Sequence, residues 1–159
     1  MTSLSKIITK KIDNELLKYP KDQKKSAVMA ALQFVQAEEG WLSNDNIGEV
    51  AKYLDIPEIA VMEVATFYNM YDLKPIGKYK LSICTNVSCM LRGVDSLVSH
   101  VKNTLNIDFN QITHDGKFCL KESECMGNCD AAPMMVINNE KMHEKLTPEK
   151  FDSIIKELK

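Results

Sequence analysis

Four cysteines stand in two tight pairs, Cys84-x4-Cys89 and Cys125-x3-Cys129, with 35 residues between the pairs. No other feature narrows the possible folds as much. Each pair is short enough for one loop to present two sulfurs to one centre. The insert between them is long enough for a helix and a strand that carry the second loop back beside the first. Four thiolates are the full ligand set of a [2Fe–2S] or [4Fe–4S] cluster, or of a structural zinc ion. The chemistry of the chain is expected where those loops meet.

Spacing favours a cluster. C-x4-C joined to C-x3-C is looser than the commonest zinc knuckles. A cluster is larger than one ion and suits wider loops. Zinc and plain structural thiols stay open on spacing alone. A thioredoxin-type dithiol enzyme is disfavoured because no C-x2-C occurs. The fifth cysteine, Cys119, sits beside Phe118 on an alternating segment and reads as a small buried hydrophobe, with ligation as the minor alternative. Five cysteines would leave a disulfide framework unbalanced. The start, Met1-Thr2-Ser3, leads into an amphipathic pattern with no apolar leader, so a cytosolic chain with reduced thiols is expected.

The length of 159 residues allows one medium domain or two small ones. At 45% hydrophobic and 26% charged residues the chain can bury a core without lipid. A net charge of −2 makes no case for nucleic acid or an anionic membrane as partner. No apolar run reaches the roughly 18 residues of a membrane span. The seven lysines in residues 1–25 read as a solvated helix face.

The first half reads as four short helices. Ile8, Ile12, Leu16 and Leu17 keep helical spacing up to Pro20. Val28, Leu32 and Val35 mark a second helix with Gly40 as its C-cap. Ser43 or Asn44 can cap a third that buries Ile47, Val50, Ala51 and Leu54. Pro57 suits the first turn of a fourth, carrying Ile59, Val61, Val64, Ala65 and Tyr68. Pro75 and Gly77 mark a boundary, giving an N-terminal helical domain at 1–75 and a second domain at 76–159. There Tyr79, Leu81 and Ile83 alternate as a strand that delivers Cys84. Residues 89–105 read as one helix, 117–124 and 134–137 as strands, with a turn at Asn138-Asn139. Thr147 and Pro148 start a closing helix with Phe151, Ile154 and Ile155. The second half is thus β-α-β-β-α, and the whole chain is α+β.

Cys89 falls at the start of the expected helix, where the positive end of the dipole favours thiolate. Thr85, Asn86 and Ser88 supply donors that can point at sulfur. Gly127 and Asn128 both tolerate positive φ in a loop wrapped round a metal. Ala131 and Ala132 allow close backbone approach, and Pro133 stiffens the start of the third strand.

The string Cys84-Thr85-Asn86-Val87-Ser88-Cys89-Met90-Leu91-Arg92-Gly93 resembles the first cluster loop of a known family, the E-type ferredoxin subunits of NADH-quinone oxidoreductase (respiratory complex I). Glu124-Cys125-Met126-Gly127-Asn128-Cys129-Asp130-Ala131-Ala132-Pro133 resembles its second. Val64-Ala65-Thr66-Phe67-Tyr68-Asn69-Met70-Tyr71 and Glu38-Glu39-Gly40-Trp41-Leu42-Ser43 are similar as well, in the same order. The resemblance implies a thioredoxin-like ferredoxin behind a helical bundle, with one [2Fe–2S] cluster on Cys84, Cys89, Cys125 and Cys129. It also implies an electron-transfer subunit, without a catalytic site of its own, of an NADH:quinone oxidoreductase. Its partners would be an NADH-binding flavoprotein subunit carrying FMN and a [4Fe–4S] cluster, and further peripheral-arm subunits. The complex would place it on the cytoplasmic side of the inner membrane. The sequence departs from the family's commonest pattern at Asn128 and Cys119, and neither change removes a ligand. No Gly-rich dinucleotide fingerprint occurs, so NADH and FMN are expected on the partner.

Rival readings separate on charge and spacing. Residues 44–68 read as helix, turn, helix, like a DNA reader. Residues 43–72 hold Lys52 as their one basic side chain, which phosphate recognition does not suit. A zinc-stabilised adaptor is a second alternative. The equivalent ferredoxin subunit of an NAD-linked formate dehydrogenase or bifurcating hydrogenase is a third. His100, His114 and His143 lack metal-ligand spacing to any cysteine and read as packing or surface residues. Phe67, Tyr68, Met70 and Tyr71 crowd before the boundary, either as domain packing or as a docking surface.

Overall fold

Ser5 starts α1 (Lys6–Leu16) by accepting a hydrogen bond from the Ile8 N–H. Ile8 and Ile12, four apart, point inward and are buried. The helix stops at Leu16, so Leu17 caps it and stays exposed rather than continuing the apolar stripe toward Pro20. These observations come from a computed structural model that describes residues 4–158. Met1 to Ser3, where the absence of an apolar leader was read, and Lys159 lie outside the described residues. Among the described residues no helix is long and apolar enough to cross a membrane.

The chain divides into two compact units, Met1–Pro75 and Ile76–Lys159. In the first, α2 (Val28–Glu39) follows a short 3-10 turn and ends at Gly40, whose φ of +82° is the left-handed cap a side chain would strain. α3 (Asn44–Leu54) has a reciprocal cap: Ser43 Oγ accepts from the Asn46 N–H, and Asn46 Oδ1 accepts from the Ser43 N–H at 2.9 Å. α4 (Glu58–Phe67) begins one residue after Pro57, which caps the helix instead of lying in its first turn. Tyr68 is extended and leaves the helix. Ile8, Ile12, Leu32, Val35, Ile47, Leu54 and Val61 form one core. Each such side chain contributes about 1.5–3 kcal/mol by leaving water, which is what holds helices too short to stand alone.

The second unit is built on a four-stranded sheet of order β2-β1-β3-β4. β1 (Tyr79–Cys84) and β2 (Phe118–Ser123) are parallel, with Leu81 opposite Leu120 and Cys84 opposite Ser123. β3 (Met135–Ile137) runs antiparallel to β1, and β4 (Lys141–His143) runs antiparallel to β3. Between β1 and β2 the chain forms α5 (Val87–Leu91) and α6 (Val94–Leu105), and α7 (Pro148–Glu157) closes it. Leu81, Ile83, Leu120, Met135 and Ile137 share one core with Val94, Leu97 and Val101 of α6 and Phe151 and Ile154 of α7. Gly77 lies where an added Cβ would stand 3.0 Å from the Gly116 and Lys117 carbonyl oxygens, so β1 starts through a close backbone approach that a larger residue would crowd.

Two departures from the β-α-β-β-α reading follow. The single helix expected over 89–105 is split into α5 and α6. Gly93 takes φ +83° and turns the chain between them. β4 adds a strand that no apolar run announces. Asn138 and Asn139 both adopt positive φ, and the Glu140 N–H returns to the Ile137 carbonyl, which folds 141–143 back as a hairpin edge.

Candidate metal centre

β1 ends at Cys84, and α5 begins three residues later. Asn86 starts α5: its side-chain oxygen accepts from the Val87 N–H at 3.0 Å. Its backbone carbonyl takes the N–H groups of Cys89 and Met90. The Cys84 N–H donates to the Met134 carbonyl, which ties the end of β1 to the start of β3. Both Cys84 and Cys89 are buried, with their thiols in hydrogen-bond contact. The second loop leaves β2 after Ser123. Its two cysteines are exposed, with Cys125 Sγ and Cys129 Sγ 3.3 Å apart.

The two pairs converge. The Ser88 hydroxyl donates to Cys129, and the Cys84 sulfur lies close enough to shift both Cys89 and Cys129. Among the described residues no three histidine, cysteine or carboxylate side chains gather around one point at single-ion distance. The sulfurs are arranged two and two, one buried pair and one exposed pair. That donor set fits a [2Fe–2S] group, in which each iron takes two thiolates.

The thiols differ in proton affinity for identifiable reasons. Burial pushes Cys89 up to about 11, helped by the Cys84 sulfur and opposed by a hydrogen bond from the Met134 backbone. The helix-dipole expectation at Cys89 is therefore corrected. α5 is little more than one turn, Cys89 is its third residue, and its N–H is already taken by Asn86. Cys125 is held below the ordinary thiol value by the Gly127 backbone N–H and by Cys129. Cys129 is raised because the Cys125 sulfur draws on its proton, and the Ser88 hydroxyl opposes this.

Of the donors expected in the first loop, Ser88 reaches a sulfur and two others do different work. Thr85 Oγ1 donates to Glu122 Oε1 at 2.9 Å, and Asn86 Nδ2 donates to Glu124 Oε2 at 2.8 Å. Arg92 Nη1 donates to the Asp130 carbonyl at 2.9 Å. The last two contacts lash the first loop to the second, and the first ties it to β2. Asn128 Nδ2 donates to Glu144 and lies 3.2 Å from Met142 Sδ, which anchors the second loop to β4 and the turn after it. The Ala132–Pro133 peptide is cis. Glu122 and Glu144 carry no signal in the sequence, and Glu124 enters there only as part of the second-loop string, because a carboxylate in a polar stretch carries no sign of its partner.

The remaining candidates lie elsewhere. Cys119 is buried in β2 opposite Lys80, four residues along the strand from the Cys84–Ser123 pair, or about 13 Å. His100 Nε2 pairs with Asp152 Oδ1 at 2.8 Å between α6 and α7. His114 is exposed in the loop before β2. His143 lies on β4 with its Nε2 buried and without a hydrogen-bond partner, and burial lowers its proton affinity.

Comparison with known proteins shows the family of the chain. The family model described as thioredoxin-like [2Fe-2S] ferredoxin matches residues 12–159. The E-type subunit of NADH-quinone oxidoreductase from Rickettsia bellii is 43% identical over 143 residues, covering 89% of this chain and 85% of that one. NADH-quinone oxidoreductase subunit 2 of Thermus thermophilus is 34% identical, covering 93% and 82%. Among solved structures, an NAD+-reducing [NiFe]-hydrogenase in the air-oxidized state matches with a TM-score of 0.72 at 22% identity. That match covers 88% of this chain but 24% of the hydrogenase chain, and it speaks to the fold alone. The chain belongs to the thioredoxin-like [2Fe–2S] ferredoxin family, among the E-type subunits of NADH-quinone oxidoreductase.

Proposed function

We propose that Cys84, Cys89, Cys125 and Cys129 hold one [2Fe–2S] cluster that exchanges single electrons with the FMN of an NADH-binding flavoprotein subunit in a complex I assembly. The convergence of two thiol pairs, one on each loop, carries this reading. A bound [2Fe–2S] group supplies one-electron redox chemistry. The chain's own part is to hold and orient the ligands and to exclude water. Burial of Cys84 and Cys89 shields one side, and exposure of Cys125 and Cys129 leaves the other open to a partner.

The residues nearest the ligand loops also set the electrostatics. Glu122 and Glu124 stand beside the loops, each held by a neutral donor. Arg92 binds a carbonyl rather than a carboxylate. Negative charge close to the ligands opposes the arrival of an electron, so a low-potential centre is expected. NADH, FMN and a [4Fe–4S] cluster are assigned to the flavoprotein partner, with the chain on the cytoplasmic side of the inner membrane. The helical unit at 1–75 is assigned to assembly and the unit at 76–159 to the cluster.

The test is a spectrum. Anaerobically purified chain should be coloured, contain iron and acid-labile sulfide in equal amounts, and give a [2Fe–2S] EPR signal on reduction. It should also bind the flavoprotein subunit. A folded, colourless chain with zinc and no sulfide would contradict the cluster reading.

A further inference from the structure

The two halves of the donor set are held by different parts of the fold. Cys84 ends β1 and Cys89 lies in α5, so regular backbone fixes the buried pair. The exposed pair has less of its own. Cys125 follows the end of β2, and Cys129 opens a single 3-10 turn, Cys129–Ala131, that has no side-chain cap. Residues 142–146 supply what this loop lacks. The Lys145 N–H donates to the Ala131 carbonyl at 2.7 Å, and the Leu146 N–H donates to the Pro133 carbonyl at 2.9 Å. Leu146 is buried, and Lys150 Nζ donates back to the Glu144 carbonyl, so the start of α7 fixes this bracket in turn.

Both backbone bonds lie beyond Cys129. Asn128 extends the bracket into the stretch between the two ligands, directly before Cys129. Its amide nitrogen has two hydrogens, and two acceptors meet it: Glu144 Oε1, and Met142 Sδ at 3.2 Å. The bond to the carboxylate is charge-assisted and the stronger of the two. The backbone gives no separate reason for asparagine here. Gly127 takes the left-handed turn at φ +85°, whereas Asn128 has φ −111°. The side chain is therefore what the loop uses. Removing a group that orients a metal ligand in this way lowers metal retention by about 10- to 100-fold.

We propose that Asn128 is a positioning residue for Cys129. Its amide, held by Glu144 and Met142, fixes the exposed thiol pair against the frame of β4, the turn after it and α7, while the buried pair is held by β1 and α5 alone. Glu144 acts at one remove, through Asn128. The assignment rests on the cluster reading given above.

The test uses the full cluster-loaded chain and two readouts: the rate at which a chelator bleaches the visible absorbance, and the EPR line shape of the reduced centre. Asn128→Ala and Asn128→Asp, which lose the donor, should each bleach about tenfold faster than wild type and change the line shape. Glu144→Ala, at the far end of the same bond, should do the same. Glu144→Gln keeps an acceptor oxygen and should stay within about twofold of wild type. Asn128→Asp combined with Glu144→Gln exchanges donor and acceptor, and recovery of both readouts in that chain is the decisive result. Asn128 is half-buried and Glu144 exposed, and far-UV circular dichroism with melting temperature checks that the fold persists. Wild-type bleaching and line shape in Asn128→Ala, Asn128→Asp and Glu144→Ala overturn the positioning role and leave the cluster reading standing. So does faster bleaching that only follows a lowered melting temperature, with no recovery in the exchanged pair. A wild-type chain without iron and sulfide overturns both.

Discussion

Arg92 reaches from the end of α5 to the backbone carbonyl of Asp130, 2.9 Å away and one residue beyond Cys129. A side chain of the first ligand loop therefore holds the backbone of the second. The guanidinium is exposed, so water competes for it and the contact contributes about 1 kcal/mol or less to global stability. Its local effect is larger, because it restrains the exposed cysteine pair. Arg92→Ala should leave the melting temperature nearly unchanged and speed the loss of visible absorbance under chelator several-fold. Bleaching at the wild-type rate would show that the loops hold without it.

The five cysteines should separate cleanly. Cys84→Ser, Cys89→Ser, Cys125→Ser and Cys129→Ser are each expected to lower retained iron and sulfide and to shift the visible spectrum. Cys119→Ala should retain both. Its buried thiol makes packing contacts, so the cost is a modest fall in stability, about 1 kcal/mol. Iron and sulfide assays on the five purified variants decide it. Cluster loss in Cys119→Ala with the fold intact would place that thiol in the site.

Glu124 lies next to Cys125 and receives the Asn86 amide at 2.8 Å. Glu124→Gln keeps an oxygen to accept that hydrogen bond and removes the charge. The midpoint potential should rise by a few tens of millivolts, the size expected for one charge at close range in a partly solvated site. An EPR-monitored potentiometric titration gives the answer, and a lower potential in the variant would reverse the electrostatic account.

Tyr71 gives the helical unit a measurable pH dependence. Burial, with a smaller effect of Tyr68, pushes its hydroxyl up to about 12 from the ordinary 10.0. The folded value exceeds the unfolded one, so the stabilisation is fully present below pH 10 and is lost as pH rises through about 12. Tyr71→Phe loses the bond to the Met29 carbonyl and should be less stable by about 1 kcal/mol at neutral pH. Above pH 10 the two melting curves should converge. A gap that stays constant to about pH 11.5 would rule out this hydroxyl as the titrating group.

Much of the fold is legible without coordinates, and the failures have local causes. Apolar spacing marks the helix cores other than that of α5, from Ile8 and Ile12 to Phe151 and Ile154, because burial imposes the helical period on the sequence. The Gly40 cap and the Ser43 cap are visible for the same kind of reason, since few residues suit those positions. Periodicity misses the break at Gly93, because Leu91 and Val94 still look continuous to an apolar count. Leu91 is in fact exposed and Val94 buried. It also misses β4, whose Lys141-Met142-His143 carries no apolar run; pairing to β3 alone makes it a strand.

The residue strings around the cysteines were sufficient to carry the family resemblance, which in turn implies four sulfur donors, since such strings are properties of short segments. Tertiary structure alone decided that Cys84 and Cys89 are covered while Cys125 and Cys129 face outward, that Glu124 and Arg92 tie the two loops together, and that Glu122 and Asn128 anchor them to β2 and to the segment around β4. Hydrogen bonds between residues 16 to 38 positions apart leave no periodic trace in a chain. They arise only after hydrophobic burial has brought β1, β2 and β3 side by side.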